Sequence, residues 1–203
     1  MARILDVAHL RRLIGEPSAQ VAHKMHSRLT ASAREYIARS PLFLLGTVDQ
    51  SGQPMVSPKG DPAGFVHIED DATLLLPERK GNKLVFTLTN VLANPRVALI
   101  FLVPGTDETL RVEGTAELLD DSELCQRFVE RDRPALLVMR IRISNIYFHC
   151  AKAFLRAALW NPATWSGRIR ISFGAEIAAN GGLAADEIAD FDAAVHGRYR
   201  TDL

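Results

Sequence analysis

The chain has 203 residues, of which 47% are hydrophobic and 24% are charged, and its 24 basic residues equal its 24 acidic residues. This composition fits one globular domain with a hydrophobic core. The balanced charge gives no indication of binding to nucleic acid or to an anionic membrane, so any anion site must be a local cluster.

The cysteines and the termini bear on the cellular compartment. Cys125 and Cys150 are far apart and form no Cys-x-x-Cys pair, which argues against a disulfide framework or a structural zinc site. Residues 1–15 lack the apolar core and cleavage site of a signal peptide. No segment approaches the roughly 18 apolar residues of a membrane span. We therefore expect a soluble, cytoplasmic protein.

The first 40 residues are predicted to be helical, because apolar residues recur there at helical spacing. Thr30 or Ser32 is expected to begin a helix that Pro41 stops. We expect a single domain, with a helical segment at 1–40, a core at 41–160 and a C-terminal arm at 161–203.

The apolar period then changes from 3.6 to 2, which indicates strands. Strands are predicted at residues 42–49, 54–59, 64–70, 72–77, 96–105, 108–120 and 135–149. Helices are predicted at residues 81–95, 121–131 and 150–160. Six or seven strands with mostly short connections favour an antiparallel barrel over a parallel doubly wound sheet. Gly114 interrupts one strand and indicates a bulge or a close approach.

The tail at residues 180–203 begins with a glycine pair and ends in an amphipathic, acidic helix. It is either an arm that packs on a partner subunit or a loosely attached terminus, and the sequence leaves both open.

The common catalytic motifs are absent from the sequence. There is no Gly-x-Gly-x-x-Gly after a strand, no P-loop, no His-Glu-x-x-His and no nucleophile elbow. His23 and His26 lie three residues apart without a carboxylate partner at a suitable spacing, so we predict no metal site.

Two cationic segments stand next to small or polar residues. Lys59 lies in the stiff stretch 57–65, and Lys83 ends the basic segment 77–83. Gly81 and Asn82 are predicted to begin a helix, whose backbone N–H groups could face an anion. Lys83 opposes the helix dipole, which a bound phosphate would explain. The alternative is a solvated basic turn.

A third cationic group is predicted on the helix after the last strand. His149, Lys152 and Arg156 would form one helical stripe, which is either a binding face or a solvent-exposed face. Arg111 shares a strand face with Glu113, and an ordinary ion pair between them is the simpler interpretation.

Several motifs in this order resemble one family. They are Ser-Pro-Lys-Gly-Asp at 57–61, Gly-Asn at 81–82, Leu-Val-Pro-Gly at 102–105, Thr-Leu-Arg-Val-Glu-Gly at 109–114, and the segment 149–160. Residues 40–150 resemble the pyridoxamine 5′-phosphate oxidase-like family of FMN-binding split barrels, and in particular a flavin-binding branch of it.

The resemblance implies a mainly β fold: a six-stranded antiparallel Greek-key split barrel with N-terminal and C-terminal helices. It also implies a homodimer with FMN in each of two clefts between the subunits. Lys59 matches the family's lysine at the end of the second strand, and 81–83 matches the segment that holds the FMN phosphate. Arg111 matches a polar residue on the strand beside the flavin. The cofactor-binding residues expected from this comparison and the local patterns are Ser57, Lys59, Gly60, Asp61, Arg79, Gly81, Asn82, Lys83, Arg111, His149, Lys152 and Arg156.

The chain also departs from the family pattern. Pro54 stands where the oxidase has a phosphate-contacting arginine, and Asn82 replaces a serine. The C-terminal motif that binds pyridoxal phosphate is not recognisable in residues 196–203. The comparison therefore supports FMN binding better than oxidation of pyridoxamine phosphate.

Lys59 can take one of two roles. If Val56 points into the barrel, Ser57 and Lys59 share a face toward the cleft, and Lys59 stabilises the charge of the reduced flavin. Otherwise Lys59 pairs with Asp61 on the surface.

The sequence thus predicts an FMN-dependent oxidoreductase that moves a hydride between a small substrate, such as a nicotinamide nucleotide, and the flavin. A barrel that uses F420 or haem, with His149 as a haem ligand, and a non-catalytic flavin carrier are the alternatives. They differ in the cofactor that the purified protein contains.

Overall fold

The computed structural model describes residues 3–202, with an antiparallel sheet at its centre. The strands found there are β1 (Leu42–Val48), β2 (Pro54–Gly60), β3 (His67–Asp70), β4 (Thr73–Glu78), β5 (Arg96–Leu102), β6 (Thr109–Leu119) and β7 (Leu137–His149). Each lies within or close to a segment that the period-2 pattern predicts.

The strand order across the sheet is β2-β1-β5-β6-β7-β4-β3, and every pairing is antiparallel. This order confirms the predicted split-barrel class. The described sheet has seven strands, whereas the family resemblance implies six. The shortest member is the edge strand β3, which pairs with β4 across the acidic turn at Asp70 and Asp71.

Helices lie at both ends of the chain and between strands of the sheet. They are α1 (Val7–Ile14), α2 (Ala19–Ala22), α3 (Ala31–Arg39), α4 (Phe86–Ala93), α5 (Ser122–Gln126), α6 (Lys152–Ala157), α7 (Phe173–Ala179) and α8 (Ile188–Thr201), with short 3₁₀ turns at Pro162–Thr164 and Ala185–Glu187. Every helix within residues 3–202 is too short or too polar to cross a lipid bilayer.

The barrel core consists of the alternate, inward-facing residues of the strands. Fully buried members include Phe43, Leu45, Leu74, Leu99, Phe101, Leu110, Val112, Ile141 and Ile146. Burial of each such side chain contributes about 1.5–3 kcal/mol. On β7, Met139, Ile141 and Ile143 point inward while Arg140 and Arg142 point outward, as their alternation predicts.

The predicted irregularity at Gly114 is confirmed. The β6–β7 register shifts between Glu113 and Gly114, and a Cβ at Gly114 would lie 2.2 Å from the carbonyl oxygen of Arg142. No side chain fits at that distance, so the bulge requires glycine.

The barrel is split where its two sheet edges meet. β2 and β3 are the ends of the hydrogen-bonded strand order. Two side-chain ion pairs, Lys59–Glu78 and Arg79–Asp61, join the end of β2 to the end of β4. We call this pair of bridges the clasp.

Helix α3 fixes the N-terminal segment onto the barrel. Thr30 accepts a hydrogen bond from the amide of Ala33, which confirms Thr30 as the N-cap. The Tyr36 hydroxyl donates to the carbonyl of Glu108 at 2.6 Å, and burial raises the pKa of Tyr36. Ser40 donates to the carbonyls of Leu42 and Leu102, which joins the helix end to β1 and β5.

The C-terminal helices pack on each other and then return to the barrel. A Cβ at Gly174 would lie 2.8 Å from the Ile188 carbonyl oxygen, so this glycine allows α7 and α8 to approach closely. Asp192 accepts a hydrogen bond from the Gly174 amide at 2.8 Å. The far end of α8 contacts the loop after β4 through Asp202.

Candidate functional site

A cleft of about 770 Å³ opens beside edge strand β2. Its walls are β2, the segment 78–88 and residues 136–137. Of the predicted site residues, Ser57, Lys59, Arg79, Gly81, Asn82 and Lys83 line this cleft. A cationic loop and apolar side chains thus meet in a single concave site.

Lys59 faces the cleft from the inner face of β2. Its Nζ donates to both carboxylate oxygens of Glu78, each at 2.6 Å, and the two side chains are only 21% and 19% exposed. The predicted alternative, pairing with Asp61, is wrong because Asp61 bonds to Arg79 instead. Glu78 therefore neutralises Lys59 locally.

Ser57 lies on the same face of β2 as Lys59, as predicted. The premise that Val56 enters the core is wrong, since Val56 is 64% exposed. The inner face at this edge carries polar side chains because they meet polar partners there. One such contact joins the Ser57 and Thr87 hydroxyls at 2.7 Å.

Arg79 and Asp61 form the second bridge of the clasp. Arg79 Nε donates to Asp61 at 2.7 Å, and its Nη1 donates to the Phe128 carbonyl oxygen at 2.7 Å. Gly60 and Asp61 line a neighbouring cavity rather than the cleft. With both groups engaged inside the protein, this pair is suited to holding the site together.

The loop at residues 79–85 replaces the predicted start of a helix. Helix α4 begins at Phe86, so the prediction that Gly81 and Asn82 start a helix is wrong. The Asn82 side chain accepts a hydrogen bond from the Leu84 amide, which offers the backbone an alternative to the helix. Lys83 and Val85 both have positive φ, at 64° and 48°.

Val85 carries backbone strain at this site. A β-branched residue rarely adopts the left-handed region, and such a conformation costs about 1–3 kcal/mol. Strain of this kind clusters at ligand sites and is maintained by the surrounding structure. Here it directs the loop along the cleft wall.

The loop brings two lysines to the cleft. Lys80 pairs with Asp202 at 2.9 Å. Lys83 is exposed and has no carboxylate within ion-pair distance in residues 3–202. The charge of Lys83 is therefore available to an anion.

Arg111, another predicted site residue, lies on the outer face of the sheet. Arg111 pairs across β6 and β7 with Tyr147, and its Nε is buried without a hydrogen-bond partner among the described residues. The predicted Arg111–Glu113 pair is wrong, since the Glu113 carboxylate accepts a hydrogen bond from the side-chain Nδ2 of Asn145 at 3.0 Å. Arg111 therefore has unused hydrogen-bonding capacity.

His149 is close to Arg111 and to Lys24. Burial lowers the pKa of His149, and the positive charges of Arg111 and Lys24 lower it further. Lys24 also lies over the ring of Tyr147, 5.0 Å from its centroid. We call Lys24, Arg111 and His149 the outer cation cluster.

The predicted stripe of His149, Lys152 and Arg156 does not form. β7 extends through His149 and α6 begins only at Lys152, so the three residues do not share a helix. Lys152 and Arg156 are exposed on α6 and do not line the cleft.

Several residues of the site were missed by the sequence analysis. Glu78, Thr87, Leu136 and Asp202 reach the cleft or its lysines only through the fold. Glu78 could have been suspected as the single acid that follows the buried run of β4. Asp202 lies more than 100 residues from Lys80 and gives no local hint.

Comparison with known proteins places this chain in a family. The pyridoxamine 5′-phosphate oxidase family model matches residues 29–150. Comparison with curated proteins finds no match.

Three solved structures illustrate the likeness. HupZ of group A Streptococcus is 23% identical, with 59% of this chain and 93% of HupZ covered and a TM-score of 0.47. A Lactobacillus delbrueckii protein assigned as a pyridoxamine 5′-phosphate oxidase is 25% identical over 60% of this chain and 95% of its own, with a TM-score of 0.46. An FMN-binding protein of Syntrophomonas wolfei is 17% identical over 58% and 88%, with a TM-score of 0.44. These scores are low, so the assignment depends on the family match over more than half of the sequence: the chain belongs to the pyridoxamine 5′-phosphate oxidase family.

Proposed function

We propose that this protein is an FMN-dependent oxidoreductase that acts on a small substrate. The observation that carries the proposal is the cleft beside β2, where a cationic loop and exposed apolar side chains line one cavity in a member of this family. A cofactor with a phosphate and an aromatic ring would match the cationic loop and the apolar side chains respectively.

The loop end of the cleft fits a phosphate. Lys83 has no carboxylate partner in the described chain, and Lys80 lies on the same loop. The amides of Gly81, Asn82 and Lys83 make no hydrogen bond within residues 3–202, so they are free to donate to an anion. Charge-assisted bonds of this type are the strong ones.

The apolar lining of the cleft fits a flat aromatic ring. The cleft is lined by Met55, Leu84, Phe86 and Leu136, and the last three are exposed. Their burial against a ring is favourable at about 25 cal/mol per Å². A bound flavin supplies the hydride chemistry, while the chain orients it.

Lys59 and Ser57 present polar groups on the β2 wall of the cleft. Because Glu78 balances the charge of Lys59, the pair offers a fixed dipole rather than a free cation. Ser57 shares a hydrogen bond with Thr87 and retains further donor or acceptor capacity. These groups would orient a polar ring edge and exclude water from it.

A homodimer is part of this proposal. The outer face of the sheet carries a row that runs from Pro58 through Leu44 and Ile100 to Arg111 and Tyr147. A second copy packed on this face would bring the outer cation cluster toward a cofactor. Arg111 supports that arrangement because it is only half-buried and forms no ion pair within residues 3–202.

The cofactor assignment is tested at Lys83. Lys83→Ala should weaken FMN binding by about 1.5 kcal/mol, or roughly tenfold, because a charge-assisted bond is lost. Riboflavin lacks the phosphate and should bind both proteins equally. Fluorescence titration of the apoprotein measures both constants, and Arg39→Ala on the surface of α3 is the control.

Equal losses for FMN and riboflavin would show that Lys83 does not contact the phosphate. Mass spectrometry of the cofactor released from the purified protein separates FMN from F420 and haem. Reduction of the bound flavin on anaerobic mixing with NADH or NADPH would identify an oxidoreductase, because a carrier's flavin would stay oxidised with either nucleotide.

A further inference from the structure

A second cavity of about 440 Å³ adjoins the cleft. Arg79, Lys80 and Leu136 line both cavities. The second cavity also contains Arg133 and Asp202, so the end of α8 forms part of its wall. Lys80 thus lies between the end of α8 and the part of the cleft where we propose that a phosphate binds.

Two contacts attach the end of α8 at this boundary. Lys80 Nζ lies 2.9 Å from Asp202 Oδ1, and Arg133 Nη1 donates to the Thr201 carbonyl oxygen at 3.1 Å. The C-terminal end of a helix carries partial negative charge, which also favours these cations. We call residues 198–202, which are the last turn of α8 together with Asp202, the strap.

The strap places a carboxylate where it competes for a cation of the cleft. The hydrogen bond from Lys80 is the main cause of the lowered pKa of Asp202. A phosphate in the cleft would carry up to two negative charges toward the same lysine. Lys80 cannot pair fully with the Asp202 carboxylate and with a phosphate at the same time.

We propose that docking of the strap and binding of a phosphate-bearing ligand in the cleft oppose each other through Lys80. This inference rests on the proposed function, because it concerns the regulation of the same site. Thermodynamic linkage makes the effect reciprocal: phosphate binding loosens the strap, and release of the strap tightens phosphate binding.

The strap is suited to such exchange because its ion pair is weak. The Lys80 and Asp202 side chains are 53% and 26% exposed, and pairs of this kind contribute little. The start of α8 remains anchored to α7 through Asp192 and Gly174. Release can therefore be confined to the last turn.

The first test compares Asp202→Asn with the unchanged protein. Asp202→Asn removes the competing charge but keeps the shape, so FMN should bind about two- to fivefold more tightly. Riboflavin binding should not change. Asp190→Asn at the other end of α8 is the matched control and should match the unchanged protein. In a Lys80→Ala background, Asp202→Asn should have no further effect on FMN.

The second test follows the strap directly by trypsin cleavage at Arg198 and Arg200. Saturating FMN should accelerate cleavage there, and saturating riboflavin should not. Inorganic phosphate should accelerate it relative to chloride at the same ionic strength. The Lys80→Ala protein should be cleaved rapidly without any ligand.

The outcomes separate the two proposals. If FMN binds but Asp202→Asn leaves the FMN-to-riboflavin affinity ratio unchanged, the strap inference is overturned and the proposed cofactor stands. The same holds if FMN protects the strap from cleavage. If neither FMN nor riboflavin binds the apoprotein, the proposed function fails and the inference falls with it.

Discussion

The outer cation cluster places two positive side chains, Arg111 and Lys24, beside the titratable ring of His149. Arg111 and Lys24 both disfavour a proton on His149, in addition to the burial of the ring. Like charges accumulate in this way where a structure accommodates an anion, and such sites are functional candidates. The outer cation cluster is therefore a candidate site for a ligand or partner at this face.

The titration of His149 should report this cluster. In the ligand-free protein, NMR should give a pKa for His149 below the ordinary value of 6.5. Arg111→Gln should raise that pKa, because a neighbouring positive charge is removed. Arg156→Gln on α6 should leave the pKa unchanged.

The lowered pKa has a consequence for stability. Below pH 6.5 the unfolded chain binds a proton at His149 that the folded chain resists. The contribution of His149 to stability is therefore fully present above that pH and declines as the pH falls. Arg111→Gln should reduce this decline; a decline of the same size would show that Arg111 does not act on His149.

At this scale the sequence predicted the types of residue in the site better than their partners. Lys59 was correctly placed beside Ser57 because alternation along a strand is local. Its partner Glu78 lies on a strand that approaches only when the barrel closes. Pairing across a split depends on tertiary curvature, which no short pattern encodes.

The clasp shows how strand ends can be joined without backbone hydrogen bonds. Its two ion pairs are mostly buried, so each charge relies on its partner in place of water. Removal of one partner leaves an uncompensated charge in a poorly solvated position.

Variants of the first bridge should reveal this dependence. Lys59→Met should lower the free energy of unfolding by about 3 kcal/mol, since Glu78 loses its partner. The double variant Lys59→Met, Glu78→Leu should recover most of that loss, because two apolar groups need no charge balance. Urea denaturation measures both effects.

The exposed pair between Glu35 and Arg39 provides the control for the clasp. Arg39→Met should change stability by less than about 1 kcal/mol. If Lys59→Met also has only this small effect, the clasp does not hold the split.

At the scale of elements, strands were predicted more reliably than the start of α4. The alternation that defines a strand persists over its whole length, as in β6 and β7. The boundary of α4 depends instead on the Asn82 side chain and on two positive φ angles. Helical spacing over 84–92 could not exclude residues 81–85 from the helix.

At the scale of the whole molecule, the outer face of the sheet is the surface on which we propose that a second copy packs. Val56 and Leu42 are exposed there, beside the half-buried Leu44 and Ile100. These apolar side chains are the surface that the proposed second copy would cover.

A charge on that face should therefore separate the subunits. Val56→Glu should shift the protein toward the monomer in light scattering, because a desolvated carboxylate opposes association. Its FMN content should fall in parallel. Val129→Glu, also at an exposed apolar residue, should leave both unchanged. A dimer that persists in Val56→Glu would place the interface elsewhere.

The two prolines of β2 have a consequence for how the molecule behaves in a crowded solution. β2 is an open edge, and Pro54 and Pro58 carry no backbone N–H that could bond to an incoming strand. Unprotected edges of this kind nucleate aggregation and strand exchange. A split barrel leaves both β2 and β3 without an outer neighbour, and the two prolines keep the β2 edge from becoming a template for fibrils.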